Sequence, residues 1–71
     1  MTGYRQNRPE RVCETLLALA ADAAVSREEA LRQLYRKFGQ PPAVLLAELS
    51  PSQRKRVREG FARRGWREAA E

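Results

Sequence analysis

The sequence predicts an all-α fold, a compact single-domain bundle of about four helices. Apolar side chains recur at intervals of three and four residues, which is the period of an amphipathic helix. Serine, proline and glycine stand where these stretches begin and end, as helix start and stop signals do. The chain has 71 residues, and 42% of them are hydrophobic, which suits one small domain and is too apolar for a disordered tail.

The first helix is predicted over residues 9–24, after a flexible basic arm at residues 1–8. Asn7 and Glu10 have the spacing of a capping box, in which two side chains satisfy the first backbone amides of a helix. Pro9 is tolerated in a first helical turn because that turn needs no amide donor. The apolar stripe of this helix comprises Val12, Leu16, either Leu19 or Ala20, and Ala23.

The second helix is predicted over residues 26–38. Ser26 and Glu29 repeat the capping-box spacing. Gly39 is placed to end the helix in the left-handed conformation, and Pro41 prevents its continuation. The apolar face comprises Leu31, Leu34, Tyr35 and Phe38.

The third helix is predicted over residues 42–49, and its apolar side chains surround most of its axis. They are Val44, Leu45, Leu46 and Leu49. Such a helix is either buried on nearly all sides or partly exposed as a protein-docking patch or a homodimer seam. Both alternatives remain open from the sequence.

The fourth helix is predicted over residues 51–64. Ser50 and Gln53 form another start signal, with proline at the first helical position. Val57 and Phe61 are spaced to face the core.

The end of the fourth helix is predicted at Gly65. Trp66 stands where a Schellman motif places a hydrophobic residue against the third-last helical position, which is Phe61. The alternative is an exposed Trp66 that anchors a protein interface. The helical domain therefore covers residues 9–66, and residues 67–71 are predicted to be a frayed tail.

The positive charge is concentrated in one segment. The chain carries 14 Lys and Arg against 9 Asp and Glu, a net charge of +5. Residues 50–67 hold seven basic side chains and one acidic, a balance of +6, whereas residues 1–49 hold seven and six, a balance of +1. An ordinary solvated helix mixes both signs, so the fourth helix is predicted to bind the phosphates of DNA, or of RNA. An acidic protein surface as the partner and a basic face that is merely solvated are the alternatives.

The fourth helix also supplies the candidate nucleic-acid ligands. The residues predicted to bind phosphates are Arg56, Arg63 and Arg67. Those predicted to lie nearest any base edge are Gln53, Arg54 and Lys55. Arg5 and Arg8 lie in the predicted arm, and such arms enter the minor groove in some DNA-binding proteins.

A helix-turn-helix-like arrangement is the natural candidate for a small basic helical chain. Its obvious turn is at residues 39–40, but the helix that follows carries no side-chain donor for a base edge and only Glu48 as a charge. The sequence therefore predicts a regulator whose first three helices form the core and present the fourth to DNA.

A family resemblance supports a regulatory role. Short motifs of the chain resemble the small regulatory domain of integrative conjugative element excision activators and of the antiactivators that sequester them. The motifs are Leu16 to Leu19, Ser26 to Ala30, Leu34-Tyr35, Arg54 to Arg58 and Gly65-Trp66-Arg67. The resemblance covers about residues 11–68 and implies a helix-turn-helix-like fold. It also implies the alternative function, a protein-binding antiactivator or inhibitor of the mobile-element or phage type that binds no nucleic acid.

The residues that the chain lacks exclude several classes of function. It has no histidine, and Cys13 is its only cysteine, which removes Cys/His zinc sites and the Ser–His and Cys–His modes of catalysis. We therefore expect no enzyme activity, catalytic residue, cofactor, metal site or small-molecule substrate. No apolar stretch reaches the roughly 20 residues that a bilayer requires, and the start of the chain lacks a signal-peptide core. The prediction is a cytoplasmic protein with no membrane partner.

Overall fold

Four helices and no strand are present in residues 3–66, the part of the chain whose backbone the computed structural model describes; side chains are described for residues 7–66. The helices are α1 (Gly3–Ala20), α2 (Arg27–Phe38), α3 (Pro42–Ala47) and α4 (Pro51–Arg63). The radius of gyration is 11.5 Å, close to the roughly 11 Å expected for a globular chain of this length. The predicted all-α bundle is confirmed. The predicted tail at residues 67–71 lies outside the described residues.

Helix α1 begins and ends earlier than predicted. Residues 3–8 belong to the helix and do not form an arm ahead of it, so Pro9 lies inside the helix and not in its first turn. The carboxyl end is at Ala20, four residues before the predicted one. There the side chain of Asp22 accepts a hydrogen bond of 2.9 Å from the amide of Ala24. This local turn ends the helix although the apolar spacing continues.

Helix α2 has the caps that its sequence predicts. The hydroxyl of Ser26 accepts a hydrogen bond of 3.1 Å from the amide of Glu29. Gly39 is left-handed at φ 72°, and its amide donates to the carbonyl of Tyr35 at 2.7 Å. Glycine adopts this conformation without the steric cost that a Cβ adds, which is why the helix ends there.

Helix α4 is capped at both ends as predicted. At its start, Ser50 and Gln53 form the reciprocal capping box. At its end, Gly65 is left-handed and the amide of Trp66 donates to the carbonyl of Phe61 at 2.9 Å, the bond that defines a Schellman motif. The rings of Phe61 and Trp66 lie edge to face, with centroids 5.2 Å apart. Trp66 therefore closes the helix against the core.

The core is built around α1, which packs against the other three helices and most extensively against α4. Its buried members are Val12, Cys13, Leu16, Ala20, Leu34, Leu45, Leu49, Val57 and Phe61. Gly60 permits the close approach of α4 to α1, because a Cβ there would lie 3.0 Å from Cδ2 of Leu17. Burial raises the pKa of the Cys13 thiol, so this cysteine is an apolar core residue.

Helix α3 is a core helix, and it ends at Ala47, two residues before the predicted end, so that Leu49 follows the helix. Leu45 and Leu49 are buried, and Leu46 packs against the same cluster. The interpretation of Leu45 and Leu49 as a docking patch is therefore wrong, because their side chains fill the centre of a small domain that has few other large apolar groups. Val44 alone keeps a large exposed fraction, 43%.

Candidate nucleic-acid interface

The outer face of α4 presents most of the basic side chains of the helix to solvent. Val57, Gly60 and Phe61 face inward, and this buried side fixes which residues point outward. The exposed cations are Arg54, Lys55, Arg56, Arg58 and Arg63. Glu59 is the single acidic residue of α4. Five of the seven basic residues that form the predicted charge surplus therefore lie on the solvent side of α4.

Gln53 is occupied within the protein. Its Oε1 accepts a hydrogen bond of 2.9 Å from the amide of Ser50, and its Nε2 donates one of 2.9 Å to Oε1 of Glu10. The contact between Gln53 and a base edge stays a prediction, and both ends of this amide already have partners within the protein. The side chain joins the start of α4 to α1.

Arg54 and Arg56 make looser contacts at the same end of the helix. A guanidinium nitrogen of Arg54 donates to the carbonyl of Leu46, near the end of α3, at 3.3 Å. A guanidinium nitrogen of Arg56 lies 3.8 Å from Oε2 of Glu10. Both arginines remain exposed, so water and other anions can reach their outer sides.

Lys55 and Arg63 are the predicted ligands that stay most available. Both are exposed, and neither forms a hydrogen bond or an ion pair with the residues that the structure describes. They lie eight positions apart, which is about 12 Å along a helix. Arg58 lies between them in the sequence and is exposed as well.

Arg8 is bound to Glu48 and does not belong to a free arm. Its Nε donates to Oε1 of Glu48 at 3.0 Å, and a second guanidinium nitrogen contacts Oε2. This hydrogen-bonded ion pair raises the pKa of Arg8 and joins α1 to the end of α3. The other predicted ligands cannot be placed in the same way: the side chain of Arg5 and the whole of Arg67 lie outside the described residues.

Sequence reasoning missed the structural role of Arg64. Its half-buried guanidinium donates to four main-chain oxygens at 2.8 to 3.4 Å. These oxygens belong to Ala20, Asp22, Ala23 and Val25. The acceptors lie 39 to 44 residues earlier in the chain, so no local pattern could have identified them. The same group stacks on Trp66, with Cζ 4.6 Å from the ring centroid.

An apolar groove lies apart from the basic face. It has a volume of about 560 Å³ and runs beside α2 and the start of α3. Its apolar lining is formed by Leu31, Tyr35 and Pro42. Tyr35 is 50% exposed, and the sequence had assigned it to the core-facing stripe of α2. The periodicity of α2 identifies its apolar face, but it does not show which residues at the edge of that face remain exposed.

Comparisons with protein-family models, with curated proteins and with solved structures found no match. The resemblance to excision activators and antiactivators therefore stays a prediction. Within the described residues, no group of three or more His, Cys, Asp and Glu side chains is arranged to hold a metal ion. In the same part of the chain, no helix combines the length and the apolar character that crossing a membrane requires.

Proposed function

We propose that this protein is a small transcriptional regulator that binds duplex DNA through the outer face of α4. One observation carries the proposal: this face carries exposed cations with Glu59 as the only acid of the helix, while the opposite face is fixed in the core. Lysine and arginine side chains on a rigid helix bind phosphates because each contact releases condensed counterions from the duplex.

Contacts to phosphates are favoured over contacts to base edges. Gln53 and Arg54, two of the three residues predicted to lie nearest the bases, have partners within the protein. Gln53 bonds to the cap of its own helix and to α1, and Arg54 bonds to the end of α3. Lys55 is the third residue of that predicted set. Lys55 and Arg63 are available, and their side chains reach phosphate oxygens easily. The α4 surface therefore supplies affinity and orientation more than sequence discrimination.

DNA is favoured over duplex RNA because of the dimensions of α4. Its 13 residues span about 20 Å, and the major groove of B-form DNA admits an α-helix of this kind. The major groove of A-form RNA is too narrow for side chains to read. A helix that bears cations along its length suits the wider groove.

The experiment is a titration of a fluorescently labelled DNA duplex, followed by anisotropy between about 50 and 200 mM salt. We expect binding that weakens steeply with salt, and we expect Lys55→Glu and Arg63→Glu each to weaken it by about tenfold and to reduce the salt slope by about one. Arg36→Glu is the matched control, since it makes the same change of charge on α2, which packs against α1 and α3.

Two results would contradict the proposal. One is no binding of the duplex at about 50 mM salt, where electrostatic attraction is strong. The other is an Arg36→Glu variant that loses as much affinity as Arg63→Glu, because general charge would then explain the attraction. Circular dichroism of each variant establishes that the helices are intact.

The second candidate is a protein-binding antiactivator or inhibitor, and the exposed groove beside Tyr35 favours it. Half of the Tyr35 side chain is accessible next to Leu31 and Pro42, and exposed aromatic residues are common interface anchors. The partner is a protein regulator or a second copy of the chain. A pull-down with and without nuclease distinguishes the candidates: a partner retained after nuclease treatment and lost with Tyr35→Ala supports this function, whereas loss of every partner after nuclease supports DNA binding.

A further inference from the structure

Two carboxylates lie among the cations where α4 begins and α3 ends, beside residues 8–10 of α1. Glu48 is bound by Arg8 through both of its oxygens. Glu10 accepts from Gln53 at 2.9 Å and lies 3.8 Å from Arg56. Each carboxylate therefore faces an arginine on another helix, in the way that a phosphate oxygen would.

We propose that Glu10 and Glu48 are intramolecular substitutes for DNA phosphates. In the free protein they hold Arg56 and Arg8, and in the complex the phosphates of the duplex replace them. This inference rests on the proposed binding of DNA by α4, and it assigns a regulatory role to two acidic residues outside that helix.

Phosphates can replace the two carboxylates because both ion pairs are exposed to solvent. The four side chains keep between 33% and 49% of their surface accessible. Exposed ion pairs add little net stability, since solvent screens them and ordering two long side chains costs entropy. A phosphate carries the same charge as the carboxylate it replaces, and it also releases counterions from the duplex. The arginines can therefore change partners without unfolding the bundle.

Gln53 fixes the position of Glu10. The Glu10 carboxylate therefore competes with a DNA phosphate for one particular arginine, Arg56. Gln53 is itself held by the capping box of α4, so the hydrogen bond from its Nε2 keeps Glu10 beside the first turns of the helix. The amino end of a helix carries a positive partial charge from the helix dipole, and this charge attracts anions. Glu10 thus lies near the end of α4 that would otherwise attract a phosphate most strongly.

The test uses Glu10→Gln and Glu48→Gln in the labelled-duplex titration. A glutamine at position 10 keeps an oxygen that can accept from Gln53, so this change removes the charge and spares the structural hydrogen bond. We expect each substitution to tighten binding by about two- to fivefold, the range that an exposed ion pair represents. The slope of log affinity against log salt should stay nearly unchanged, because Arg8 and Arg56 contact the same phosphates in the complex with or without the carboxylates.

A double-mutant cycle separates this exchange from general electrostatics. The gain from Glu10→Gln should disappear in an Arg56→Gln background, and the gain from Glu48→Gln should disappear in an Arg8→Gln background. Glu59→Gln is the matched control: it removes the same charge from α4, and its effect should persist in the Arg56→Gln background. Circular dichroism of every variant monitors the fold.

The outcomes distinguish failure of this inference from failure of the proposed function. If the unmodified protein binds the duplex and Glu10→Gln binds no more tightly, the phosphate-substitute role is wrong and the DNA-binding function stands. If the gain is equal with and without Arg56, the role is again wrong, since no exchange at Arg56 is involved. If neither the unmodified protein nor any variant binds at about 50 mM salt, the proposed function and this inference both fail.

Discussion

The guanidinium of Arg64 donates a hydrogen bond of 2.9 Å to the main-chain oxygen of Ala20, the last residue of α1. The same group reaches the carbonyls of Asp22 and Val25, each at 2.8 Å. The last carbonyls of a helix lack partners within the helix, so one side chain from the end of α4 satisfies the end of α1 and orders the loop that follows.

Substitution of this arginine should destabilise the domain. We expect Arg64→Ala to lower the free energy of unfolding by about 2 kcal/mol, because hydrogen bonds from a charged donor contribute roughly 1.5–3 kcal/mol. Arg63→Ala is the control, since the neighbouring exposed arginine should change stability by no more than about 0.5 kcal/mol. Urea unfolding followed by circular dichroism measures both values, and equal losses would show that the contacts to the loop contribute nothing.

The left-handed glycine that follows Arg64 gives a second test. Gly65 has φ 72°, a conformation that costs a residue with a Cβ about 1–2 kcal/mol. Gly65→Ala should therefore lower the midpoint of unfolding, and Gly65→Asn should lower it less, because asparagine tolerates this region better. Emission of Trp66, the only tryptophan of the chain, reports the transition; an alanine variant as stable as the parent would contradict the assignment.

The features that the sequence predicts correctly depend on neighbouring residues. Ser26, Ser50, Gly39 and Gly65 all cap helices where expected, since a cap involves residues within about four positions of one another. The burial of the α3 leucines could be stated only as one of two alternatives. Periodicity shows that an apolar face exists, but it does not show what covers that face.

Features that depend on distant residues were missed or misplaced. No local pattern pairs Arg8 with Glu48, which lies 40 positions later. Arg8 was therefore predicted to lie in a DNA-binding arm. In the same way, the prediction for Gln53 considered only the helix that contains it. In the structure, its side-chain amide donates a hydrogen bond to Glu10, which lies 43 positions earlier. The sequence shows that basic side chains are concentrated on α4, but which of them remain available depends on the tertiary fold.

The close approach of α4 to α1 gives a third prediction, at Gly60. A Cβ at this position would already lie 3.0 Å from Cδ2 of Leu17, so a leucine must displace the core. We expect Gly60→Leu to destabilise the domain by about 1–3 kcal/mol, the usual cost of overpacking. Ala62→Leu, at an exposed position of the same helix, should be nearly neutral. Similar urea midpoints for the two variants would show that the interface accommodates a larger residue.

Glu29 gives a prediction about pH. Its carboxylate accepts from Nε2 of Gln33 at 2.9 Å and from Arg32 at 2.6 Å. The hydrogen bond from Gln33, together with the charge of Arg32, lowers the pKa of Glu29 below its ordinary value of 4.5. A carboxylate whose pKa is lower in the folded state stabilises that state above the unfolded pKa, and this contribution is lost as the pH falls through the folded pKa.

The free energy of unfolding, measured in urea from about pH 7 to about pH 3, should therefore fall less on acidification for Glu29→Gln than for the parent protein. Glu28→Gln is the matched control for the loss of one negative charge, because it removes the same charge from an exposed residue in the same helical turn. Gln33→Ala should move the titration of the Glu29 carboxyl, followed by NMR, towards higher pH, since it removes the largest cause of the shift. Parallel pH profiles for Glu29→Gln and the parent would show that the helix gains nothing from these two contacts.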